Sequence, residues 1–328
     1  MKRTIVFTLL LSLFAVGAYA QKTNAPERTG WSDDNGKDLL HGDVESVIIT
    51  YKQSTNQVSH KEVYKFNQRG DVVDFVLYNS DGSIESKKAY KYDSQGNKIE
   101  YAEYNPDGSL KYKIIYKYDS RGNKTEEADY DGGLLRSKTI YKYGLQGKEI
   151  ECATYNNPDG SMSGKTIYKY DLQGNKIEET SYIDGSLNYK ITYKYNPQGK
   201  KIEERMYENT DAVLSEKWIY KYDSRGNEIK SNVYSSTGSK IGEVIYKYDS
   251  SGRLIKVDGW QDGLSHVIST YKYDSQGNLI EESWQNLSEQ QLKGKYTYEY
   301  DSHGNWIKMC TYEDGMMWVT ERKIVYRK

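Results

Sequence analysis

The sequence has few of the residues that usually carry chemistry in a protein site. It contains only two cysteines and four histidines among 328 residues. None of them stands in an HExxH motif or in a paired metal-binding pattern. No Gly-x-Ser-x-Gly elbow and no phosphate-binding glycine loop occurs. The sequence therefore predicts no catalytic site, no metal site and no cofactor, and we expect a protein that is not an enzyme.

Long hydrophobic runs are also absent, except at the very start of the chain. A basic beginning, the apolar run 4–16 and the small-x-small pattern of 18–20 are typical of a secretory signal peptide. We predict that residues 1–20 are this signal peptide, with cleavage before Gln21. No cysteine follows the run, which argues against a lipid anchor. The rest of the chain is expected to be exported, without a membrane span: periplasmic, at the cell surface or secreted.

Neither sign of charge dominates the sequence. Without Lys2 and Arg3 of the signal peptide, 44 basic residues stand against 47 acidic residues, a net charge of −3. This balance does not supply the basic stripe that nucleic acids require, so no nucleic-acid partner is expected. Residues 21–44 are polar, contain Pro26 and several glycines, and are predicted to be a flexible leader or N-terminal cap.

Tyrosine is abundant, with 34 residues, and it marks an internal repeat. The first residue of a Tyr-x-Tyr pair, which is Tyr-x-Phe in the first copy, recurs every 25 to 27 residues, at 64, 90, 116, 141, 168, 193, 220, 246, 271 and 298. Within each copy polarity alternates with a period of two, as in KYKIIYKY at 111–118, which is typical of strands. Residues 45–328 are therefore predicted to be a domain of tandem β-hairpins, about 22 strands in all.

Each hairpin contains a turn with an invariant glycine, such as Gly96 in Asp-Ser-Gln-Gly. Glycine takes the left-handed conformation that such a turn needs, and Asp93 can accept a hydrogen bond from the backbone two residues on. A four-residue loop would place Tyr90 opposite Ile99 and gather the apolar residues on one face. That face is predicted to carry Tyr-x-Tyr and a column formed by Val73, Ile99, Thr125, Ile150, Ile177, Ile202, Ile229, Ile255, Ile280 and Ile307.

The opposite face is predicted to carry lysine, glutamate and a second aromatic column. Trp284 lies one residue out of register with the gap in this column at Gln285, which indicates a bulge or an altered loop there. The members of the column are Tyr78, Tyr104, Tyr130, Tyr155, Tyr182, Tyr207, Tyr234, Trp260 and Tyr312.

The segment 248–254, Tyr-Asp-Ser-Ser-Gly-Arg-Leu, matches the Tyr-Asp-x-x-Gly-Arg-Leu core of the YD repeats of the Rhs family. Over about 64–326 the chain resembles a divergent branch of that family, with Asn-Lys-Ile replacing Arg-Leu in most copies, as at 97–99. A weaker similarity exists to other tyrosine- and glycine-rich hairpin repeats, including MORN-like ones. The family resemblance implies one long antiparallel sheet that winds into a spiral, which in large Rhs proteins forms a shell around a toxin domain. No such domain follows Tyr326, so the shell-and-toxin function is not expected here.

The fold class is thus all-β: tandem antiparallel hairpins in a long curled or spiral single sheet. Open sheets this wide usually curl or close, and the sequence leaves both a spiral and a closed winding possible. The oligomeric state is not determined either. Cys152 and Cys310 lie about six repeats apart, and we expect two separate free thiols, although pairing stays open.

Three functions are compatible with these patterns. The first is a non-enzymatic binding protein for a glycan or a protein, with Tyr234, Trp260, Trp284 and Tyr312 as ligand-binding residues. In the alternative interpretation of these aromatic residues they pack within the fold. The second function is a self-assembling shell or scaffold. The third is a carbohydrate-active enzyme, which the adjacent acids such as Glu126-Glu127 disfavour, because neighbouring residues of a strand point to opposite faces.

Overall fold

The computed structural model describes residues 40–53, 57–157, 159–208, 213–262, 266–275, 277–286, 292–313 and 316–327. Its regular elements in these ranges are strands, and the described residues include no helix of the length and apolarity needed to cross a membrane. The predicted signal peptide and most of the predicted leader lie outside the described residues.

The all-β prediction is confirmed, because the strands belong to one 22-stranded sheet of antiparallel hairpins. The strands are β1 (Val44–Lys52), β2 (Val58–Phe66), β3 (Val72–Asn79), β4 (Ile84–Tyr92), β5 (Lys98–Tyr104), β6 (Leu110–Tyr118), β7 (Lys124–Asp131), β8 (Leu134–Tyr143), β9 (Glu149–Asn156), β10 (Met162–Tyr170), β11 (Lys176–Ile183), β12 (Ser186–Tyr195), β13 (Lys201–Glu208), β14 (Val213–Tyr222), β15 (Glu228–Ser235), β16 (Lys240–Tyr248), β17 (Leu254–Gln261), β18 (Val267–Tyr273), β19 (Leu279–Asn286), β20 (Leu292–Tyr300), β21 (Trp306–Glu313) and β22 (Met316–Tyr326).

The turn after each Tyr-x-Tyr pair is a three-residue loop, and the predicted four-residue loop is wrong. Between β6 and β7 the Asp119 N–H donates to the Asn123 carbonyl at 2.9 Å, and the Gly122 N–H donates to the Asp119 carbonyl at 3.0 Å. Gly122 is left-handed, with a φ of 82°. The carboxylate of Asp119 accepts the N–H groups of Arg121 and Asn123, and the Asn123 amide closes on its second oxygen. These side-chain bonds favour the shorter loop.

A β-bulge follows this turn and decides which side chains share a face. Tyr118 pairs with Lys124 but Lys117 pairs with Glu126, so Thr125 is an extra residue without a ladder partner. A three-residue loop alone would put the apolar residues of the next strand on the wrong face, and one inserted residue restores the alternation. The inserted residue is the one assigned to the isoleucine column, so that column does not join the tyrosines. Its exposed members include Ile150, Ile177, Ile229 and Ile280.

The second tyrosine of six Tyr-x-Tyr pairs joins one repeat to the next. The Tyr118 hydroxyl donates to the Lys98 carbonyl on the neighbouring strand at 2.7 Å, and the Tyr143 hydroxyl donates to the Lys124 carbonyl at 2.7 Å. The accepting residue is in each case the one that precedes the extra residue of the bulge. The bond recurs in Tyr170–Glu149, Tyr195–Lys176, Tyr222–Lys201 and Tyr273–Leu254.

Two compact units are distinguished within the chain, and the first comprises residues up to Lys87 together with Ile245–Lys328. Its buried core contains Leu40, Val44, Val47, Ile49 and Phe66. The packing of Leu40 extends the folded part of the chain into the segment that the sequence assigns to the leader.

Strand β1 pairs with β2 on one side and with β22 on the other, the latter from Val44↔Tyr326 to Lys52↔Val319. Of the two windings that the sequence leaves possible, the spiral implied by the family resemblance is therefore wrong, because in a spiral the first and last strands lie apart. Burial of Val47 opposite Ile324 gives a physical reason for the pairing, since it covers apolar side chains that two free end strands would expose.

Polar contacts reinforce this pairing of the first and last strands. The Asn305 side chain accepts the His41 N–H at 2.6 Å and donates to the His41 carbonyl and the Tyr326 hydroxyl, both at 2.8 Å. His303 stacks on the Tyr326 ring, with a centroid separation of 4.0 Å. Arg327 donates to the carbonyls of 66 and 67 at 2.6 Å. The residues at 40–43 and 326–327 are thus bonded to turns elsewhere in the same unit.

Candidate functional site

In the second unit, Lys88–Val244, each face of the sheet has its own repeating chemistry. The tyrosine face carries the Tyr-x-Tyr pairs and the residue before each bulge. Lys124 lies 5.6 Å from the ring centroid of Tyr116 and 4.4 Å from that of Tyr141, and its Nζ is 2.6 Å from Glu127. Lys98, Lys176 and Lys201 likewise lie between two tyrosine rings. These lysines occupy the place predicted for isoleucine.

This pattern on the tyrosine face is interrupted at β9 and β15. Glu149 occupies the lysine position and Cys152 the glutamate position of the repeat, and the Cys152 Sγ is 3.9 Å from the Tyr168 hydroxyl. Burial raises the pKa of the Glu149 carboxyl and also the pKa of the Cys152 thiol. Glu228 replaces lysine in β15, and burial raises its pKa as well. The thiol at this position is held in its protonated form, so it does not have the properties of an activated nucleophile.

The opposite face of the second unit, which we call the basic face, carries lysine, glutamate and the second aromatic column. Its tyrosines pair directly across the strands with lysines, and Lys113 and Lys217 place Nζ 5.0 Å and 4.9 Å from the ring centroids of Tyr130 and Tyr234. The pairs are Lys113↔Tyr130, Lys138↔Tyr155, Lys165↔Tyr182, Lys190↔Tyr207 and Lys217↔Tyr234. The predicted placement of this column among lysines and glutamates is confirmed here.

A glutamate on the basic face is shared by two cations in each of four successive hairpins. Glu178 lies 2.7 Å from both Lys169 and Lys190. Burial acts to raise the pKa of Glu178, but the hydrogen bonds from the two lysines hold it below its usual value. The other three sets are Lys117–Glu126–Lys138, Lys142–Glu151–Lys165 and Lys194–Glu203–Arg205.

The basic face therefore carries an excess of positive charge that the composition of the chain conceals. Eleven lysines stand in its two lysine columns against five glutamates between them. The five outer lysines that contact these glutamates keep side-chain exposures of 61% to 67%. The outer column is Lys91, Lys117, Lys142, Lys169, Lys194 and Lys221, and the glutamates are Glu100, Glu126, Glu151, Glu178 and Glu203.

Sequence reasoning did not identify this charge excess, although its signal is present. The middle residue of each Tyr-x-Tyr pair is lysine in most copies, and so is the residue three positions before many of the pairs. The net charge of each face can be counted only when the strand register is known. In the net charge of the whole chain, acids on the tyrosine face, such as Glu127 and Asp129, cancel these lysines.

The last hairpin of the basic face departs from the pattern. Lys221 lies directly opposite Lys230, which occupies the glutamate position of the repeat. Glu243 occupies the lysine position of the next strand and contacts Lys230 at 2.6 Å. Two like charges opposite one another on a ladder destabilise a sheet unless an anion lies between or beside them. The pair lies on the same two strands as Lys217 and Tyr234.

The four predicted ligand-binding residues are divided between the two units, and those of the first unit do not all lie on one side of the sheet. Tyr234 belongs to the second unit, at the end of the basic face. Trp260, Trp284 and Tyr312 belong to the first unit. Trp260 lies on the same side of its strand as Lys256 and Asp258, at every second position. Tyr312 is exposed and pairs with Lys295. Trp284 pairs with Ser269 and lies on the tyrosine side of its strand. Its one-residue displacement in the sequence thus places it on the opposite side from Trp260.

Across the part of the chain that the structure describes, no three His, Cys, Asp or Glu residues are arranged to hold a metal ion. The adjacent acids lie on opposite faces as predicted, since Glu126 contacts Lys117 of the basic face while Glu127 contacts Lys124 of the tyrosine face. Cys152 and Cys310 are free thiols.

No protein-family model and no curated protein matches the chain. Among solved structures, the TcdB2-TccC3 crystal structure is 14% identical, with a TM-score of 0.44, over 78% of this chain and 16% of that one. A porin-like protein from Bacteroides uniformis is 10% identical, with a TM-score of 0.34, over 87% and 98% of the two chains. A putative lipoprotein from Parabacteroides distasonis is 8% identical, with a TM-score of 0.19, over 87% and 100%. The chain thus spans about a sixth of the length of the TcdB2-TccC3 chain, and its function is inferred from its own residues.

Proposed function

We propose that this protein is an exported, non-enzymatic β-repeat protein that binds an extended polymer, a glycan or a polypeptide, at the cell envelope or cell surface. The basic face is the binding surface. The observation that carries the proposal is the cross-strand pair of lysine and tyrosine, which recurs in the same register from Lys113↔Tyr130 to Lys217↔Tyr234. Because the same chemistry repeats instead of converging on one centre, it suits a ligand that is itself a repeating chain.

Export is supported by the N-terminal sequence, whose residues 1–20 have the features of a signal peptide. We also propose a divergent relationship to YD-repeat proteins. Its support is the turn at Asp249, whose carboxylate accepts the N–H groups of Ser251 and Arg253, as Asp119 does for its own turn. The YD-type segment and the Asn-Lys-type segments therefore encode the same turn.

Two other functions have weaker support. A scaffold that assembles through its end strands would need β1 and β22 to be available, and these strands pair with one another. A glycoside hydrolase needs two carboxyl groups that face one bond. The adjacent acids Glu126 and Glu127 lie on different faces of the sheet, each in contact with a lysine of its own face. The lysine contact of Glu127 recurs at Glu179 and Glu204 in other hairpins.

The proposal is tested with Tyr182, which lies within the basic face. Tyr182→Ala removes the ring, and we expect it to weaken binding to glycan or extended-peptide arrays by about 1–2 kcal/mol, as for a typical aromatic contact residue. Tyr182→Phe keeps the ring and should retain most of the binding. Melting curves show whether both variants stay folded. Equal binding by the parent and the alanine variant would contradict the proposal.

A matched pair of tryptophans tests whether the predicted residues of the first unit contribute. Trp260→Ala and Trp284→Ala remove the same side chain from opposite sides of the sheet. If the ligand binds the side of the first unit that carries Lys256 and Trp260, only Trp260→Ala weakens binding. Weakening by Trp284→Ala alone would move the binding surface to the tyrosine side.

A further inference from the structure

The positive charges on the basic face recur at a regular spacing, once per hairpin. Successive hairpins are two strands apart, or about 10 Å. Within one repeat Lys169 and Lys190 share Glu178, so the repeat keeps one positive charge that no acid on that face balances. The basic face therefore presents about one net positive charge every 10 Å along the direction in which hairpins succeed one another.

This spacing selects among anionic polymers. Double-stranded DNA carries one negative charge per about 1.7 Å of its axis, far denser than the basic face can match. An extended polypeptide advances about 3.3–3.6 Å per residue, so a run of acidic residues is also too dense. Two sugar residues of an extended glycan cover a length comparable to one hairpin step, so one acidic group per disaccharide matches the face. The tyrosines beside the lysines supply flat apolar surfaces of the kind on which sugar rings stack.

We infer that the basic face binds an acidic polysaccharide that carries about one carboxylate or sulfate group per disaccharide. This inference rests on the proposed function and names the class of its ligand. The firmest contact is at Lys221, because the residue opposite it on the ladder is Lys230 instead of a glutamate, and the nearby Glu243 contacts Lys230.

The binding should depend on ligand length and on salt. One charged contact at an exposed site is weak, and several linked contacts on one chain add up to a useful affinity. The Debye length at 0.1 M ionic strength is about 10 Å, the same as the hairpin step, so salt in this range weakens every contact. We expect affinity to rise as the glycan is lengthened from one disaccharide to five, and to fall at least tenfold between 0.05 M and 0.5 M salt.

The experiment measures binding of the full chain to four probes by calorimetry. The probes are hyaluronan fragments, with one carboxylate per disaccharide, chondroitin sulfate, neutral dextran and double-stranded DNA. The expected result is salt-sensitive binding of the acidic glycans, little binding of dextran and weaker binding of DNA. A chondroitin sulfate disaccharide carries a sulfate in addition to the carboxylate, so a comparison with hyaluronan shows whether this second acidic group strengthens binding or whether one group per disaccharide suffices.

Variants separate this surface from a general charge effect. Lys221→Ala should weaken hyaluronan binding about two- to fivefold, whereas Lys98→Ala, the same loss of charge on the tyrosine face, should leave it unchanged. Lys221→Glu should form an ion pair with Lys230, so its melting temperature should stay equal or rise while hyaluronan binding falls. A structural role of Lys221 alone would move stability and binding in the same direction.

The possible results separate the ligand class, the charge spacing and the location of the site. Equal binding of dextran and hyaluronan would overturn the acidic ligand class and leave polymer binding by the protein intact. Stronger binding of DNA than of either acidic glycan would overturn the spacing argument. Equal loss in Lys98→Ala and Lys221→Ala would remove the basic face as the site. Absence of binding to all four probes would overturn the inference, and the peptide array would then decide whether the proposed function stands.

Discussion

Asn97 and Asn305 occupy the same position of two equivalent turns and bond to different partners. The Asn97 amide donates to the carboxylate of its own turn, Asp93, at 2.9 Å. The Asn305 amide instead donates to the carbonyl of His41, which precedes it by 264 residues, while the Asp301 carboxylate of its turn accepts the Tyr326 hydroxyl. A side chain that elsewhere closes a local turn here holds the two ends of the described chain together.

This difference predicts unequal effects of one substitution. Asn305→Ala leaves the N–H and carbonyl of His41 without their partner at a site where Asn305 is 4% exposed. We expect it to lower the free energy of unfolding by about 1–3 kcal/mol, because it removes three hydrogen bonds that each typically contribute about 0.5–1.5 kcal/mol. Asn97→Ala removes only a turn bond near solvent and should cost less. Urea denaturation of both variants measures the difference, and equal losses would contradict the assigned role of Asn305.

The left-handed turn glycines give a second prediction. Gly122 has a φ of 82°, whereas Gly164 lies within β10 and has no such constraint. Gly122→Val should lower the free energy of unfolding by about 1–3 kcal/mol, because a β-branched residue is strained in this conformation. Gly164→Ala should be much milder, since an added Cβ would meet its nearest atom at 3.8 Å. Melting curves that rank the two variants in the reverse order would contradict the turn geometry.

The hydroxyl that joins successive repeats gives a third prediction. Tyr143→Phe removes the donor to the Lys124 carbonyl and should lower the free energy of unfolding by about 0.5–1.5 kcal/mol. Tyr130→Phe is the control, because Tyr130 contacts Lys113 through its ring, which phenylalanine retains. Chemical denaturation of the two variants separates a hydroxyl effect from a ring effect. Identical stability of both would show that the repeated bond does not stabilise the sheet.

Two glutamates should respond to pH with opposite signs. Burial raises the pKa of Glu228 above its usual 4.5, so its ionised form destabilises the fold at neutral pH, and this cost disappears as pH falls below 4.5. Burial opposes ionisation of Glu178 too, but its lysine hydrogen bonds dominate and lower the pKa, so its stabilisation is present above 4.5 and is lost as pH falls through the folded pKa.

Glu228→Gln should therefore melt at a higher temperature than the parent at pH 7, and Glu178→Gln at a lower one. Both differences should shrink between pH 5 and pH 3 as the parent carboxyls become protonated. The measurement is a series of melting curves over this pH range. Differences of the same sign for the two variants, or differences that do not change with pH, would contradict the assigned environments.

Much of the sheet was predictable because its signals are local. The period of the Tyr-x-Tyr pairs, the alternation in 111–118 and the turn glycines fix the strands and their order. The loop length was not predictable by the same reasoning. A four-residue loop and a three-residue loop followed by one bulged residue give the same alternation further along the strand. The two loops differ only next to the turn. The four-residue loop would place Thr125 on the tyrosine face, whereas the three-residue loop with its bulge places Lys124 there.

The pairing of β1 with β22 and the charge of the basic face depend on non-local information. Val47 and Ile324 are apolar, but nothing in their spacing indicates that they meet. Likewise, Lys221 and Lys230 look like ordinary surface lysines until the register places them opposite one another. For the proposed binding surface, the sequence indicated the aromatic column and its charged neighbours, and only the pairing of strands showed the excess of lysine.

The antiparallel direction of β22 relative to β1 restricts how this chain can change its number of repeats. Consecutive strands alternate in direction, so only an even total brings the two ends together antiparallel. A duplication or deletion that altered the total by a single strand would make these neighbours run parallel, with a different hydrogen-bond pattern and the apolar side chains out of register. Unequal recombination within the gene is therefore expected to persist only when it inserts or removes an entire hairpin, for example the stretch from Asp93 to the residue before Asp119.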